Sequence, residues 1–254
     1  MKKIEQTAVG HFKYLPEKLG FTTSQYQGLH IINCGLGSSM FNIVFGSLQS
    51  EPETWPNEIQ NVIHQFREQP FTWWILPSQY LPDFSCCLKE EGFIQETREH
   101  AMLCNLEFFE PQLLQTKLVV RQVLNLNDLL DFISVLEPYD KMARCFYEKL
   151  SVDILNSKEK LFIGYQQSTP AVIGILFEDN ESSGIFSLIT EENERGKGFG
   201  TDMMRYLLRF AKKRGEKYVT LLASSDSGFR IYERLGFKSY GEFECFEWKI
   251  NFSN

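Results

Sequence analysis

The sequence predicts an α+β (α/β) fold of two related units, each with a mostly antiparallel central sheet flanked by helices. The chain has 254 residues, 43% of them hydrophobic, which suits one to two domains with real cores. Its second half places strand and helix patterns in an order typical of helices packed on an antiparallel sheet. One pattern of strand, helix, Gly-Phe and strand also occurs in both halves, which indicates a repeat.

The repeated pattern ends a helix in the same way each time. Glycine adopts the left-handed conformation that ends a helix, and the phenylalanine after it packs back on the last turn. In the first half the predicted strand is 73–76, the helix 82–91, the stop Gly92-Phe93 and the closing strand 99–106. In the second half the strand is 219–222, the helix 227–235, the stop Gly236-Phe237 and the closing strand 243–251.

The second half adds a long amphipathic helix over 200–214, with Met204, Leu207, Leu208 and Ala211 on one face. A polar stretch around Pro111 separates it from the first half, so the predicted units are 1–112 and 117–254. The other predicted elements of the second unit are strands at 118–123, 161–165, 171–177 and 184–190, and helices at 128–135 and 141–150.

Composition excludes several classes of protein. The net charge of −7 argues against a nucleic-acid partner, because neutralising a phosphate backbone needs a basic surface. No apolar run approaches the roughly 20 residues of a membrane span, so we expect a cytoplasmic protein without membrane contact. The six cysteines show neither metal-site nor disulfide-scaffold spacing, and we expect reduced thiols. The 7 basic and 13 acidic residues of 1–114 make the first half acidic, which favours a cationic substrate if that half faces the active cleft.

The informative segment is Arg195-Gly196-Lys197-Gly198-Phe199-Gly200-Thr201, between a predicted strand and the long helix. Three glycines allow a sharp turn whose amides approach a ligand at a helix N-terminus, where the dipole is positive. That arrangement predicts an anion site. Residues 195–217 carry eight basic and two acidic side chains, a balance of +6 that suits a polyanionic ligand. The pattern is neither a Walker loop nor a dinucleotide fingerprint, and a tight connection without a ligand is the alternative.

The segment resembles the acetyl-CoA motif of GNAT N-acetyltransferases, Q/R-x-x-G-x-G/A, through Arg195, Gly198 and Gly200. The resemblance implies that the amides of the turn hold the CoA pyrophosphate. It also implies that a bulge splays the preceding strand, so that Leu188, Ile189 and Thr190 pair with the pantetheine arm. The amide near Thr190 would polarise the thioester carbonyl.

A second stretch, residues 224–237, resembles the family pattern N-x-x-A-x-x-L-Y-E-K-L-G-F. Ser225 occupies the asparagine position and Gly228 the alanine position, and Ser225 is expected to hydrogen-bond pantetheine. Tyr232 falls on the family's tyrosine, which implies a general acid for the departing CoA thiolate.

The second half contains no histidine, which excludes a His-dependent nucleophile or a His-rich metal site built there. We therefore expect direct, metal-free transfer of acetyl from acetyl-CoA to a primary amine of a small molecule or peptide. A non-catalytic acyl-CoA sensor or scaffold and a transferase for longer acyl chains are the alternatives. The sequence leaves the general base and the oligomeric state open.

The first unit, 1–112, resembles a degenerate GNAT-like domain of a tandem family member. Its Gly35-Leu36-Gly37-Ser38-Ser39 turn lacks the arginine of the motif and a following amphipathic helix. We expect that this unit has lost CoA binding and supports the second or shapes the substrate cleft.

Overall fold

The computed structural model describes residues 1–111, 113–155, 157–180 and 182–249, and within them the chain forms eight α-helices and one eleven-stranded sheet. The helices are α1 (Lys2–Lys18), α2 (Trp55–Phe66), α3 (Pro82–Glu90), α4 (Leu126–Leu136), α5 (Ala143–Tyr147), α6 (Val152–Leu155), α7 (Phe199–Lys213) and α8 (Asp226–Arg234). The strands are β1 (Thr22–Tyr26), β2 (Leu29–Asn33), β3 (Asn42–Phe45), β4 (Phe71–Ile75), β5 (Ile94–Asn105), β6 (Leu118–Gln122), β7 (Glu159–Gln166), β8 (Thr169–Asp179), β9 (Ser182–Thr190), β10 (Tyr218–Ala223) and β11 (Lys238–Trp248).

The two halves exchange their closing strands. The strand order is β1-β2-β3-β4-β11-β5-β10-β9-β8-β7-β6, so β11 of the second half pairs with β4 of the first, and β5 of the first pairs with β10 of the second. In both halves an antiparallel meander leads to a parallel pair, β3 with β4 and β9 with β10. The mostly antiparallel sheet with flanking helices confirms the predicted fold class.

The repeated helix stop has the same hydrogen bonds in both halves. After α3 the Phe93 amide donates to Leu88 O, and after α8 the Phe237 amide donates to Tyr232 O, each at 3.0 Å. Gly92 and Gly236 take φ values of 98° and 92°, the left-handed conformation that the stop requires. Both phenylalanines are buried, so each stop also fixes the direction of the closing strand.

Helix α1 of the first half packs on the sheet of the second half. Thr7 and Thr220 share a hydrogen bond between their hydroxyls at 2.6 Å. At Gly10 a Cβ atom would meet the Phe177 ring at 2.8 Å, so the glycine lets α1 approach β8 closely. Helix α4 covers the same face, whereas α7 packs on the opposite face. This second face also carries α8.

The first half contains more regular structure than the sequence analysis predicted: α1, β1 to β3 and α2 all precede the first predicted strand. The Gly35–Ser39 turn joins β2 to β3, so comparing it with the glycine-rich turn was wrong. By strand order the equivalent segment is 46–54, between β3 and the amphipathic helix α2.

Several boundaries also differ from the predictions. The helix expected over 141–150 is shorter than predicted, because only α5 falls within that range and the next helix, α6, begins after it. The last strand begins at Lys238, because pairing with β4 and β5 extends it. The structure does not describe residues 250 and 251, which were predicted to end this strand. The predicted C-terminal boundaries of the two units, residue 112 and residues 250–254, also lie outside the described residues. In the described ranges no helix combines the length and apolar character needed to cross a membrane.

Candidate active site

The site begins where the parallel strands β9 and β10 separate. Their pairing runs from Ser182 with Tyr218 to Ile185 with Leu221 and goes no further. A bulge follows at Ser187, whose φ is 48°, and it shifts the register of β9 against β8. The bulge bends β9 away from β10, as the family resemblance implied, and opens a V-shaped gap in the sheet.

The end of β9 turns backbone groups toward this gap. The Glu191 amide donates to Ala171 O of β8 at 2.9 Å, and since neighbours alternate in an antiparallel ladder, the backbone groups of Thr190 face away from β8. The Thr190 carbonyl accepts hydrogen bonds from Tyr139 Oη and Arg195 Nε, both at 3.3 Å. The Thr190 N–H, which faces the same way as this carbonyl, is therefore the backbone group that an extended ligand arm in the gap would meet.

The glycine-rich turn meets the end of β9 at the start of α7. Gly198 is the N-cap with φ 86°, a conformation that favours glycine. A Cβ atom at Gly200 would lie 3.1 Å from Thr190 Oγ1, so Gly200 allows the helix to start close to the strand. Among the described residues the amides of 196–201 donate to no acceptor. The turn thus presents consecutive free N–H groups at a helix N-terminus, where an anion is favoured.

Helix α8 forms the opposite wall. Ser225 caps it by accepting from the Gly228 amide at 3.2 Å, and its hydroxyl hydrogen can still donate to a ligand. A Cβ atom at Gly228 would lie 3.1 Å from Ser225 Oγ and 3.3 Å from Tyr232 Cε2. Replacing the family's alanine by glycine therefore relieves crowding between Ser225 and Tyr232. In the part of the chain that the structure describes, Tyr232 Oη has no hydrogen-bond partner.

These elements enclose a cleft of about 660 Å³. It brings together every predicted site residue except Lys197, whose Nζ pairs with Glu194 at 2.9 Å. Phe199 contributes only backbone, because its side chain is buried in the core. The predicted residues that line the cleft are Leu188, Ile189, Thr190, Arg195, Gly196, Gly198, Phe199, Gly200, Thr201, Ser225, Gly228 and Tyr232.

The basic charge of 195–217 is not gathered at the turn. Of the basic residues of that segment only Arg195 lines the cleft, and Arg234 of α8 joins it there. Arg205 pairs with buried Asp202 at 2.9 Å and Arg214 with Glu178 at 2.6 Å, because the helical period spreads the side chains around α7. The balance of +6 was therefore the wrong reason for predicting an anion site, and the free amides carry that prediction.

Two residues beside the gap were missed by the sequence analysis. Tyr139, after α4, lines the cleft and stacks under the Arg195 guanidinium, 5.7 Å from its ring centre. Glu99 lies on β5, one residue beyond the last pair of that strand with β10, which joins His100 to Ala223. No local motif marks either residue, because strand exchange and helix packing bring them to the site.

Burial raises the pKa of Glu99 to about 6. Burial first, and the Glu99 carboxylate second, raise the pKa of the Tyr232 phenol to about 12. The first half thus supplies a carboxylate within electrostatic range of the candidate acid. No group of three or more His, Cys, Asp or Glu residues is placed to hold a metal ion in the described ranges.

Comparison with known proteins relates the second half of the chain to one family and the whole chain to one fold. A model of the acetyltransferase (GNAT) domain matches residues 135–253. A GCN5-related N-acetyltransferase from Kribbella flavida is 11% identical, with a TM-score of 0.72 over 94% of this chain and 95% of that one. A conserved protein of unknown function from Staphylococcus epidermidis ATCC 12228 is 13% identical, with a TM-score of 0.72 over 94% and 99%.

A tandem GNAT protein from the clavulanic acid biosynthesis pathway is 11% identical, with a TM-score of 0.56 over 80% of this chain and 70% of that one. At these identities the structures show a shared fold. No curated protein sequence matches this one significantly. The family model thus assigns residues 135–253 to the acetyltransferase (GNAT) domain.

Proposed function

We propose that the protein transfers an acetyl group from acetyl-CoA to a primary amine. The observation that carries this proposal is the row of amides at 196–201, which donate to no acceptor among the described residues. Beside it lie the Thr190 N–H and the Tyr232 hydroxyl, which has no hydrogen-bond partner in the same ranges. The amides would hold the CoA pyrophosphate at the positive end of α7. The pantetheine arm would pair with β9, as the family resemblance implies, with Ser225 donating to it.

In this proposal the amine nitrogen attacks the thioester carbonyl, and the carbon–sulfur bond breaks as the amide forms. Tyr232 donates its proton to the departing thiolate. Its raised pKa keeps the phenol protonated at neutral pH, as a general acid requires. The Thr190 amide stabilises the charge on the carbonyl oxygen during the attack.

Glu99 is the proposed acceptor of the amine proton. Alternation along β5 places Ala101 in the core beneath α1 and α4 and Met102 in the core beneath α7. Glu99 therefore faces the α1 side of the sheet, across the gap from α8. A carboxylate with a pKa of about 6 is ionised at neutral pH and accepts a proton more readily than an ordinary glutamate does.

The first unit, 1–112, is proposed to have lost its own CoA site. In its equivalent of the turn, Ser47 N–H donates to Gln79 Oε1 at 3.1 Å, and Gln49 N–H donates to Gln27 O at 3.2 Å. Glu51, Glu53 and Glu58 surround the start of α2. Occupied amides and acidic side chains disfavour a pyrophosphate at that position.

Calorimetry with acetyl-CoA and a thiol-release assay with a panel of amines test the proposal. Tyr232→Phe keeps the ring and removes the proton, so kcat should fall about 10²- to 10⁴-fold while the Kd for acetyl-CoA changes little. Failure of the wild type to bind acetyl-CoA would refute the proposal. Binding without transfer would favour a sensor or scaffold, and transfer only from longer acyl-CoA would favour the other alternative.

A further inference from the structure

The cleft continues around helix α8 into a second cavity. Gly228 and Tyr232 are one turn apart on the face of α8 toward the gap in the sheet, whereas Ile231 and Arg234 lie on the neighbouring face and still line the cleft. Arg234 also lines a cavity of about 250 Å³ at the C-terminal end of α8, between that helix and the segment that follows β5. The cleft and this side cavity therefore adjoin at Arg234.

The guanidinium of Arg234 has charge available for a ligand. Its Nε donates to Arg230 O at 3.1 Å, and its two terminal nitrogens have no partner in the part of the chain that the structure describes. Such a guanidinium binds two phosphate oxygens with parallel hydrogen bonds. Arg230 makes the same kind of bond, to Asp226 O at 3.2 Å, but lines neither the cleft nor the side cavity. Of these two arginines, only Arg234 is placed to bind an anion that extends beyond the cleft.

The remaining wall of the side cavity suits a purine base. Phe108 lines it with a ring that is 78% exposed, and an exposed ring is a platform on which a base stacks. Asn105 Oδ1 accepts from the Glu107 amide at 3.0 Å, so the NH₂ group of Asn105 can donate to a ring nitrogen. The Glu110 carboxylate can accept from an exocyclic amino group. Adenine offers both, an accepting ring nitrogen and a donating amino group.

The size of the side cavity agrees with this occupant. Its volume of about 250 Å³ equals that of about eight waters in the liquid. The bonded atoms of a bicyclic base lie closer together than separate waters do, so the base fits.

Resting on the proposed function, we propose that the side cavity holds the adenosine end of acetyl-CoA and that Arg234 selects the 3′-phosphate of its ribose. The pyrophosphate, at the amides of 196–201, joins the pantetheine arm to the adenosine. The arm leaves toward the gap, so the adenosine leaves along the face of α8 that carries Arg234, and the adenine stacks on Phe108. Both side chains bind the donor and take no part in the acyl transfer. The segment between β5 and β6 thereby becomes part of the donor site.

The first test compares acetyl-CoA with acetyl-dephospho-CoA, which lacks only the 3′-phosphate, by calorimetry. The wild type should bind acetyl-CoA about tenfold more tightly at low salt, because a charged hydrogen bond is lost in the other donor. The difference should shrink at about 0.5 M KCl, since salt screens an exposed ion pair. Arg234→Gln should bind the two donors equally. Arg230→Gln, the same change one turn earlier on α8, is the matched control and should retain the preference.

The second test concerns the base. Phe108→Ala should weaken the binding of both donors about fivefold to tenfold, because both contain adenine. Leu113→Ala is the control, at a position of the same segment that is 83% exposed and lines neither the cleft nor the side cavity, and it should change neither affinity.

The outcomes separate this proposal from the proposed function. If the wild type binds the two donors equally, if the two arginine variants lose the preference equally, or if Phe108→Ala binds as the wild type does, the adenosine site is overturned and the acetyl-CoA site stands. Failure of the wild type to bind either donor would overturn both.

Discussion

Replacing Gly198 by tryptophan tests the anion site directly, and the chain provides a matched control at the other end of the same helix. Gly198 and Gly215 flank α7 with φ values of 86° and 87°. A side chain in this left-handed conformation costs about 1–2 kcal/mol at either position. A Cβ atom at Gly215 would meet nothing within 4 Å, and one at Gly198 would meet only Thr116, at 3.6 Å. Both variants should therefore lose similar stability.

Their effects on binding should differ. Gly198 lies in the row of free amides, whereas the Gly215 amide donates to Lys212 O at 3.1 Å, away from the cleft. Each amide–phosphate hydrogen bond contributes about 1.5–3 kcal/mol, so losing two should weaken acetyl-CoA binding about 10²- to 10⁴-fold. Calorimetry on both variants and the wild type measures this, with urea unfolding as the stability control. Equal acetyl-CoA affinity in the two variants would refute the site assignment.

Two further predictions concern carboxylates, the partly buried Glu99 and the buried Asp202. The pKa of Glu99 in the folded state is about 6, which lies above its ordinary value of 4.5. The protonated group therefore stabilises the fold fully below pH 4.5, and this contribution is lost as the pH rises through 6. Glu99→Gln should accordingly raise the free energy of unfolding by about 2 kcal/mol at pH 7, gain little at pH 4, and lower acetyl transfer at pH 7. Urea titrations at the two pH values and thiol release check this, and lower stability at pH 7 would contradict it. Asp202→Ala should lower the free energy of unfolding by about 3–5 kcal/mol, because it leaves the Arg205 guanidinium buried without the carboxylate that lies 2.9 Å from it. A loss below about 1 kcal/mol, measured by urea unfolding, would disprove that account.

The sequence predicted the second half better than the first because its signals are local. The glycine-rich turn, the face of α7 and the stop at Gly236 each depend on neighbours within a few residues, and the structure has the turn, helix and stop in those places. The cleft also gathers twelve of the thirteen predicted site residues. Their roles in binding and catalysis remain predictions that the proposed variants test.

What the sequence did not show depends on contacts between distant segments. Glu99 reaches the gap only because β5 pairs with β10, and His11 meets Glu159 because α1 lies on the sheet of the other half. The basic segment 195–217 misled for the same reason, since a count of charges does not show that Arg205 is neutralised by Asp202 inside the fold. Periodicity describes one element at a time, whereas these features need the assembled sheet.

The exchange of β5 and β11 constrains how the protein is made. Strand β11 inserts between β4 and β5, so both strands keep an unpaired edge until residue 248 has been synthesised and has reached the sheet. Unpaired edges attract strands of other chains, which makes this interval the period of greatest exposure to aggregation. Closing the sheet also joins segments more than 130 residues apart, such as Lys238 with Leu103, and such non-local pairing slows folding. The carboxylate proposed to activate the amine and the tyrosine proposed to release the thiol therefore come together only when the whole chain has folded.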